Sequence, residues 1–143
     1  MERRHPRNTP ARPLVLLADG HGATRELYAV ALASFGFETI VVDDRAAAFA
    51  RAREVHPDII VTDVALPSHE GWSLVEDLKG DPRTRNIPIV VLTGHKEASV
   101  RARASQEGCA ALLIKPYLPE ELAHALREFL GTEPIHEPVS ARR

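Results

Sequence analysis

Four polar side chains each close a short apolar run: Asp19 after LVLLA, Asp63 after DIIVT, Thr93 at the end of IPIVVLT, and Lys115 after ALLI. Two acids, a hydroxyl and an amine form a set that can manage a phosphoryl group. A carboxylate acts as a nucleophile toward phosphorus when a divalent cation and a cationic side chain neutralise the charge developing on the phosphoryl oxygens. Asp63 is the candidate acceptor. Asp19 can help hold Mg²⁺, which prefers oxygen ligands; Lys115 can pair with one phosphoryl oxygen and Thr93 can hydrogen-bond another.

For these residues to meet, the runs that carry them must lie side by side. Leu14–Ala18, Asp58–Thr62, Ile87–Leu92 and Ala110–Ile114 have the length and composition of buried strands, and Thr39–Val42 makes a weaker fifth. Longer stretches between them carry helical spacing, as in Leu27, Val30, Ala31 and Ser34, or Ala46, Phe49, Ala50 and Arg53. Gly36, Gly80 with Asp81-Pro82, and Gly108 follow three of the helices, and Pro119 opens the last. Strict β/α alternation with continuous Val/Ile/Leu strands implies a parallel sheet covered on both faces by right-handed crossovers. Five such units predict a flavodoxin-like (βα)5 fold, doubly wound in three α/β/α layers. Its functional crevice lies beyond the carboxyl ends of the strands, where the four polar residues stand.

The chain has 143 residues, 44% hydrophobic and 27% charged, which suits one domain with a single core. That domain is expected over residues 13–130, with a flexible Arg/Pro-rich arm over 1–12 and a disordered tail over 131–143. The arm lacks the apolar run of a signal peptide or membrane anchor. A formal charge of −2 gives no basic footprint for nucleic acid. Cys109, the single cysteine, permits no internal disulfide and fits a reducing cytoplasm. Asp43-Asp44 closes the second strand ahead of a helix, where an N-cap is the natural role.

Asp63 with Pro67 and Gly71 behind it, Thr93 after an apolar strand, and Lys115-Pro116 together resemble the receiver domain of bacterial two-component response regulators, across about Leu14 to Leu130. The resemblance implies that Asp63 takes a phosphoryl group from a histidine kinase or histidine phosphotransfer protein and that Thr93 and Lys115 hold the phosphoryl oxygens. Mg²⁺ would be bound by Asp19, Asp63 and the backbone carbonyl of Ala65. The protein would be a phosphoryl acceptor rather than an enzyme, at most catalysing its own phosphotransfer and dephosphorylation. Output would pass by contacts with a protein target, with a homodimer through the fourth and fifth βα units as one form. Ala65 and His95, two residues beyond Asp63 and Thr93, occupy positions that set the lifetime of the phosphoryl group.

Two positions depart from the family pattern. Gly20 stands where a second acid usually touches the metal, or, with a one-residue shift in the GHGATR loop, Asp19 takes that place with Ala18 beside it; either way one acid is gone and Mg²⁺ binding is expected to be weak or absent, since losing even outer support of a ligand costs about 10–100-fold in affinity. Leu112 stands where an aromatic ring usually swings inward on phosphorylation. A degenerate receiver, binding partners independently of phosphorylation, is therefore the alternative reading. Two remoter ones are a cobalamin-binding domain that presents His21 from Asp19-x-His21, and a phosphatase with Asp63 as nucleophile. The first has Thr24 where a glycine is required, and the second has Ala65 where a general acid is required.

Overall fold

The apolar runs form strands because their residues pack on both sides. In the computed structural model, which describes residues 12–67 and 70–131, β1 (Leu14–Ala18), β3 (Ile59–Thr62) and β4 (Ile89–Thr93) are buried throughout. The edge strands β2 (Glu38–Val42) and β5 (Ala111–Ile114) are only partly covered. Helices α1 (Gly22–Ser34), α2 (Arg45–Val55), α3 (Gly71–Gly80), α4 (Ala98–Gln106) and α5 (Pro119–Leu130) alternate with them. The sheet is parallel with order β2-β1-β3-β4-β5, the doubly wound, flavodoxin-like arrangement expected from the sequence. The expected arm over 1–12 and tail over 131–143 lie outside the described residues, apart from Arg12 and Gly131.

Alternate strand residues feed two cores. Val15, Leu17, Ile59, Val61, Val90 and Leu92 pack with Tyr28 and Leu32 of α1 and Leu122 and Leu126 of α5. Leu16, Ala18 and Ile60 face the other way, against Ala48 and Ala52 of α2 and Leu74, Val75 and Leu78 of α3.

Two helices turn a different face inward than the spacing suggested. In α1 the expected stripe points outward, with Leu27 57% and Val30 71% exposed, while Tyr28 and Leu32 are buried. Alanine and other small residues run all round this helix, so two faces satisfy the helical period, and the inner one is selected by the larger Tyr28 ring. In α2, Ala48 and Ala52 are buried while Ala46 and Ala50 are exposed. Phe49 and Arg53 lie between these faces, the guanidinium 4.4 Å from the ring centroid. Asp44 caps α2, accepting from the Ala47 N–H at 2.8 Å, and Gly36 and Gly108 supply positive-φ turns after α1 and α4. Gly80 is the last residue of α3 rather than a residue beyond it, and Asp81 is its C-cap. Asp58 falls just outside β3, and its carboxylate instead accepts from the Leu14 N–H at 2.7 Å. Burial pushes the Cys109 thiol up to about 11, so it stays protonated near neutrality.

No helix of the described residues is long and apolar enough to cross a membrane.

Candidate functional site

Strand register brings the candidate residues together. Ala18 of β1 lies opposite Thr62 of β3, so the residues that follow, Asp19 and Asp63, leave the sheet side by side. Thr93 of β4 lies opposite Ile114 of β5, which puts Lys115 beside the hydroxyl. The backbone ladder runs one residue past the strands: Asp19 donates to Val42, Asp63 to Ala18 and Lys115 to Thr93, at 3.1, 3.0 and 2.8 Å. Each side chain therefore starts from a fixed backbone.

Lys115 closes the site. Its Nζ lies 2.8 Å from Asp19 Oδ2 and 2.9 Å from Asp63 Oδ2, so one ammonium spans both acids. The remaining carboxylate oxygens are also held, Asp63 Oδ1 by the Ala65 N–H and Asp19 Oδ1 by the His21 N–H, each at 2.9 Å. Asp19, Asp63 and Thr93 are buried. Burial pushes the Asp63 carboxyl upward, but the Ala65 N–H, Lys115 and the Thr93 hydroxyl outweigh it and hold the group below its ordinary 3.8. Burial likewise opposes the Lys115 charge, and the two carboxylates overcome it, raising the amine above its ordinary 10.5. At neutral pH Asp63 is therefore held as a carboxylate and Lys115 as an ammonium.

Two glycines border the Asp63 loop. A Cβ on Gly71 would fall 2.2 Å from Val64 Cα and 2.6 Å from the Asp63 carbonyl, so the start of α3 approaches that loop too closely for any side chain. A Cβ on Gly20 would meet only Pro67 Cδ at 3.5 Å and the Ala65 carbonyl at 3.8 Å, which is ordinary contact. Gly20 thus faces the Ala65 carbonyl without contributing a ligand atom of its own.

The other expected positions are peripheral. His95 is exposed, its N–H 3.3 Å from Thr93 Oγ1 and its ring 3.9 Å from Glu97. Leu112 is half-buried in β5 opposite Val91. His21 is exposed, with Nδ1 3.5 Å from Asp19 Oδ1. Sequence reasoning missed Arg25, whose guanidinium donates to the Asp19 carbonyl at 2.7 Å; its place on the first turn of α1, four residues past His21, was the available signal. The Lys115–Pro116 peptide is cis.

A profile of the response regulator receiver domain matches residues 15–127. The chain belongs to the response regulator receiver family. Among curated relatives, the receiver is 30% identical to the Phosphate regulon transcriptional regulatory protein PhoB of Escherichia coli (strain K12) over 113 residues. That alignment covers 79% of this chain and 49% of PhoB, so the chain spans about half the length of that relative. It is 29% identical to the Polar-differentiation response regulator DivK of Brucella ovis over 117 residues, covering 82% of this chain and 95% of DivK. Among solved structures, the chemotaxis protein CheY4 of Vibrio cholerae superposes with a TM-score of 0.77 at 26% identity, over 82% of this receiver and 98% of CheY4. The receiver domain of the sensor histidine kinase PA1611 from Pseudomonas aeruginosa PAO1 also reaches 0.77 at 26% identity, over 85% and 100% of the two chains. That structure holds a magnesium ion in its active-site cleft.

Proposed function

We propose that this receiver accepts a phosphoryl group on Asp63 from a phosphohistidine of a histidine kinase or histidine phosphotransfer protein. A carboxylate oxygen of Asp63 forms the new P–O bond as the donor's P–N bond breaks, and the electron pair leaves with the imidazole. Lys115 and Thr93 lie where they can neutralise and hydrogen-bond the phosphoryl oxygens. The observation that carries this reading is the convergence of Asp63, Lys115 and Thr93 from three strands onto one buried, ionised centre. The chain is a phosphoryl acceptor in this scheme, with at most self-catalysed transfer and loss of the group.

The donor set suits Mg²⁺ in kind: two carboxylates, Asp19 and Asp63, with the Ala65 carbonyl nearby, and Mg²⁺ is commonly held by one or two carboxylates with water and phosphate oxygens completing the shell. When bound, the ion supplies positive charge to the transferring phosphoryl group. Gly20 leaves the set one acid short, no three His, Cys, Asp or Glu side chains converge on a metal position among the described residues, and Lys115 already occupies an oxygen of each acid. We therefore place its Mg²⁺ affinity at least about 10–100-fold below that of a receiver with both acids.

The exposed apolar stripe of α1, Leu27 and Val30, begins beside the crevice and offers a donor protein a face on which to dock. Output then passes to a protein target, or to a second copy through β4-α4 and β5-α5.

A second reading is favoured by Gly20 and the Lys115 bridge. Here the two acids share the Lys115 ammonium and the domain binds its partner without phosphorylation. NMR titration with Mg²⁺ and then beryllofluoride separates the two. Shifts radiating from Asp63 in the wild type, and absent in Asp63→Asn, support the phosphorylated receiver. A silent wild type with a response gained in Gly20→Asp supports the degenerate one.

A further inference from the structure

The short connection from Lys115 to Leu118 joins β5 to α5 and carries the ammonium that bridges Asp19 and Asp63. Its start is fixed by the Lys115 N–H on the Thr93 carbonyl, and its end by the first turn of α5, where Leu122 donates to Leu118. Between these points the Tyr117 carbonyl accepts a hydrogen bond from the Tyr28 hydroxyl, across 89 residues of sequence. Tyr28 is only 5% exposed and packs in the core with Leu32, Leu122 and Leu126, and the Tyr117 ring packs against the same cluster. The phenol lies within the fields of both Lys115 and Asp19.

We propose that Tyr28 is a positioning residue for Lys115: its hydroxyl, anchored in α1, pins the Tyr117 carbonyl and so fixes where the ammonium meets Asp19 and Asp63. The physical reason lies in the reach of the side chain. Lysine has a four-carbon stem with many rotamers, so the place of its charge depends on how firmly its backbone is held. A buried phenol on a packed ring is a rigid donor, and the carbonyl it holds lies two residues from Lys115. Tyr28 is also adjacent to Leu27, so α1 presents an apolar side chain outward and a tie to the catalytic cation inward. A protein that shifts α1 on docking would move that tie.

The role in phosphoryl binding rests on the reading of Asp63 as acceptor; the effect on Lys115 does not. The test is Tyr28→Phe in the full chain, which keeps the ring and removes the hydroxyl. Thr84→Val serves as control, because Thr84 Oγ1 makes a comparable buried bond to the Leu78 carbonyl, 2.7 Å long and away from the site. The first readout is the ¹H–¹⁵N signal of the Lys115 ammonium, which the two carboxylates protect from exchange with water. We expect that signal to shift or broaden in Tyr28→Phe and to stay in place in Thr84→Val, whatever either does to the melting temperature. The second readout is beryllofluoride affinity, expected to fall roughly five-fold in Tyr28→Phe, the factor corresponding to one ordinary hydrogen bond. An unmoved ammonium signal in Tyr28→Phe, with or without a lower melting temperature, overturns the proposal and leaves Tyr28 a packing residue. A wild type that ignores beryllofluoride while Tyr28→Phe still moves the ammonium would overturn the acceptor reading alone.

Discussion

Gly20 and Gly71 border the same Asp63 loop in different ways. At Gly71 the backbone of the Asp63–Val64 segment occupies the space a side chain would need. At Gly20 the space is open and faces the Ala65 carbonyl. The first is imposed by packing, and the second leaves room for a side chain. The frame around Asp63 thus stands with Gly20 in place, and a side chain could be added there without collision.

The largest effect should come from breaking the imposed glycine. Gly71→Ala must displace the loop that carries Asp63, and we expect a loss of at least about 3 kcal/mol in urea unfolding, the upper range for overpacking, together with loss of any beryllofluoride response. Next comes the shared cation. Lys115→Met leaves two buried carboxylates without their shared ammonium, and roughly 3 kcal/mol is expected, near the lower end for breaking a buried pair because Lys115 keeps 19% side-chain exposure. The open glycine should give a smaller change of opposite sense: Gly20→Asp is expected to raise Mg²⁺ affinity by at least about 10-fold, measured by calorimetry, with little change in fold. The smallest effect belongs to the outer face of α1, where Leu27→Ser should alter stability by no more than about 0.5 kcal/mol while weakening phosphotransfer from a cognate donor.

Acid titration sharpens the same contrast. The folded pKa of Asp63 lies below its ordinary 3.8, so the stability it contributes is present above that value and is lost as pH falls through the lower folded pKa. Replacing Lys115 by Met removes one of the influences that lower it. The acid-induced loss of stability should then be smaller and be complete at a higher pH than in wild type, as followed by urea midpoints between about pH 2 and 6.

The sheet was legible in the sequence because buried parallel strands are written as unbroken apolar runs, and because each of the four site residues interrupts or closes one. That Asp63, Thr93 and Lys115 share one rim also followed, since parallel strands end on the same side. Which helix face is buried did not follow. With alanines around α1 and α2, periodicity fits more than one stripe, and the choice falls to how Tyr28 and Leu32 fill the core. The span of Lys115 across Asp19 as well as Asp63 was equally hidden, because it depends on the register of Ala18 with Thr62 and of Thr93 with Ile114. Gly71 could be recognised by its spacing from Asp63, but the collision that demands it appears only in three dimensions. The tie between Tyr28 and Tyr117 left no local trace at all.

A single ammonium serving two acids behaves as a balance with one weight. On the proposed function, an anion that settles on Asp63 draws the weight to its own side and lightens the other pan, leaving Asp19 with the His21 N–H and the nearby His21 ring on its carboxylate. In that scheme, occupancy at the third strand is reported at the first, next to the start of α1, without any ring having to turn.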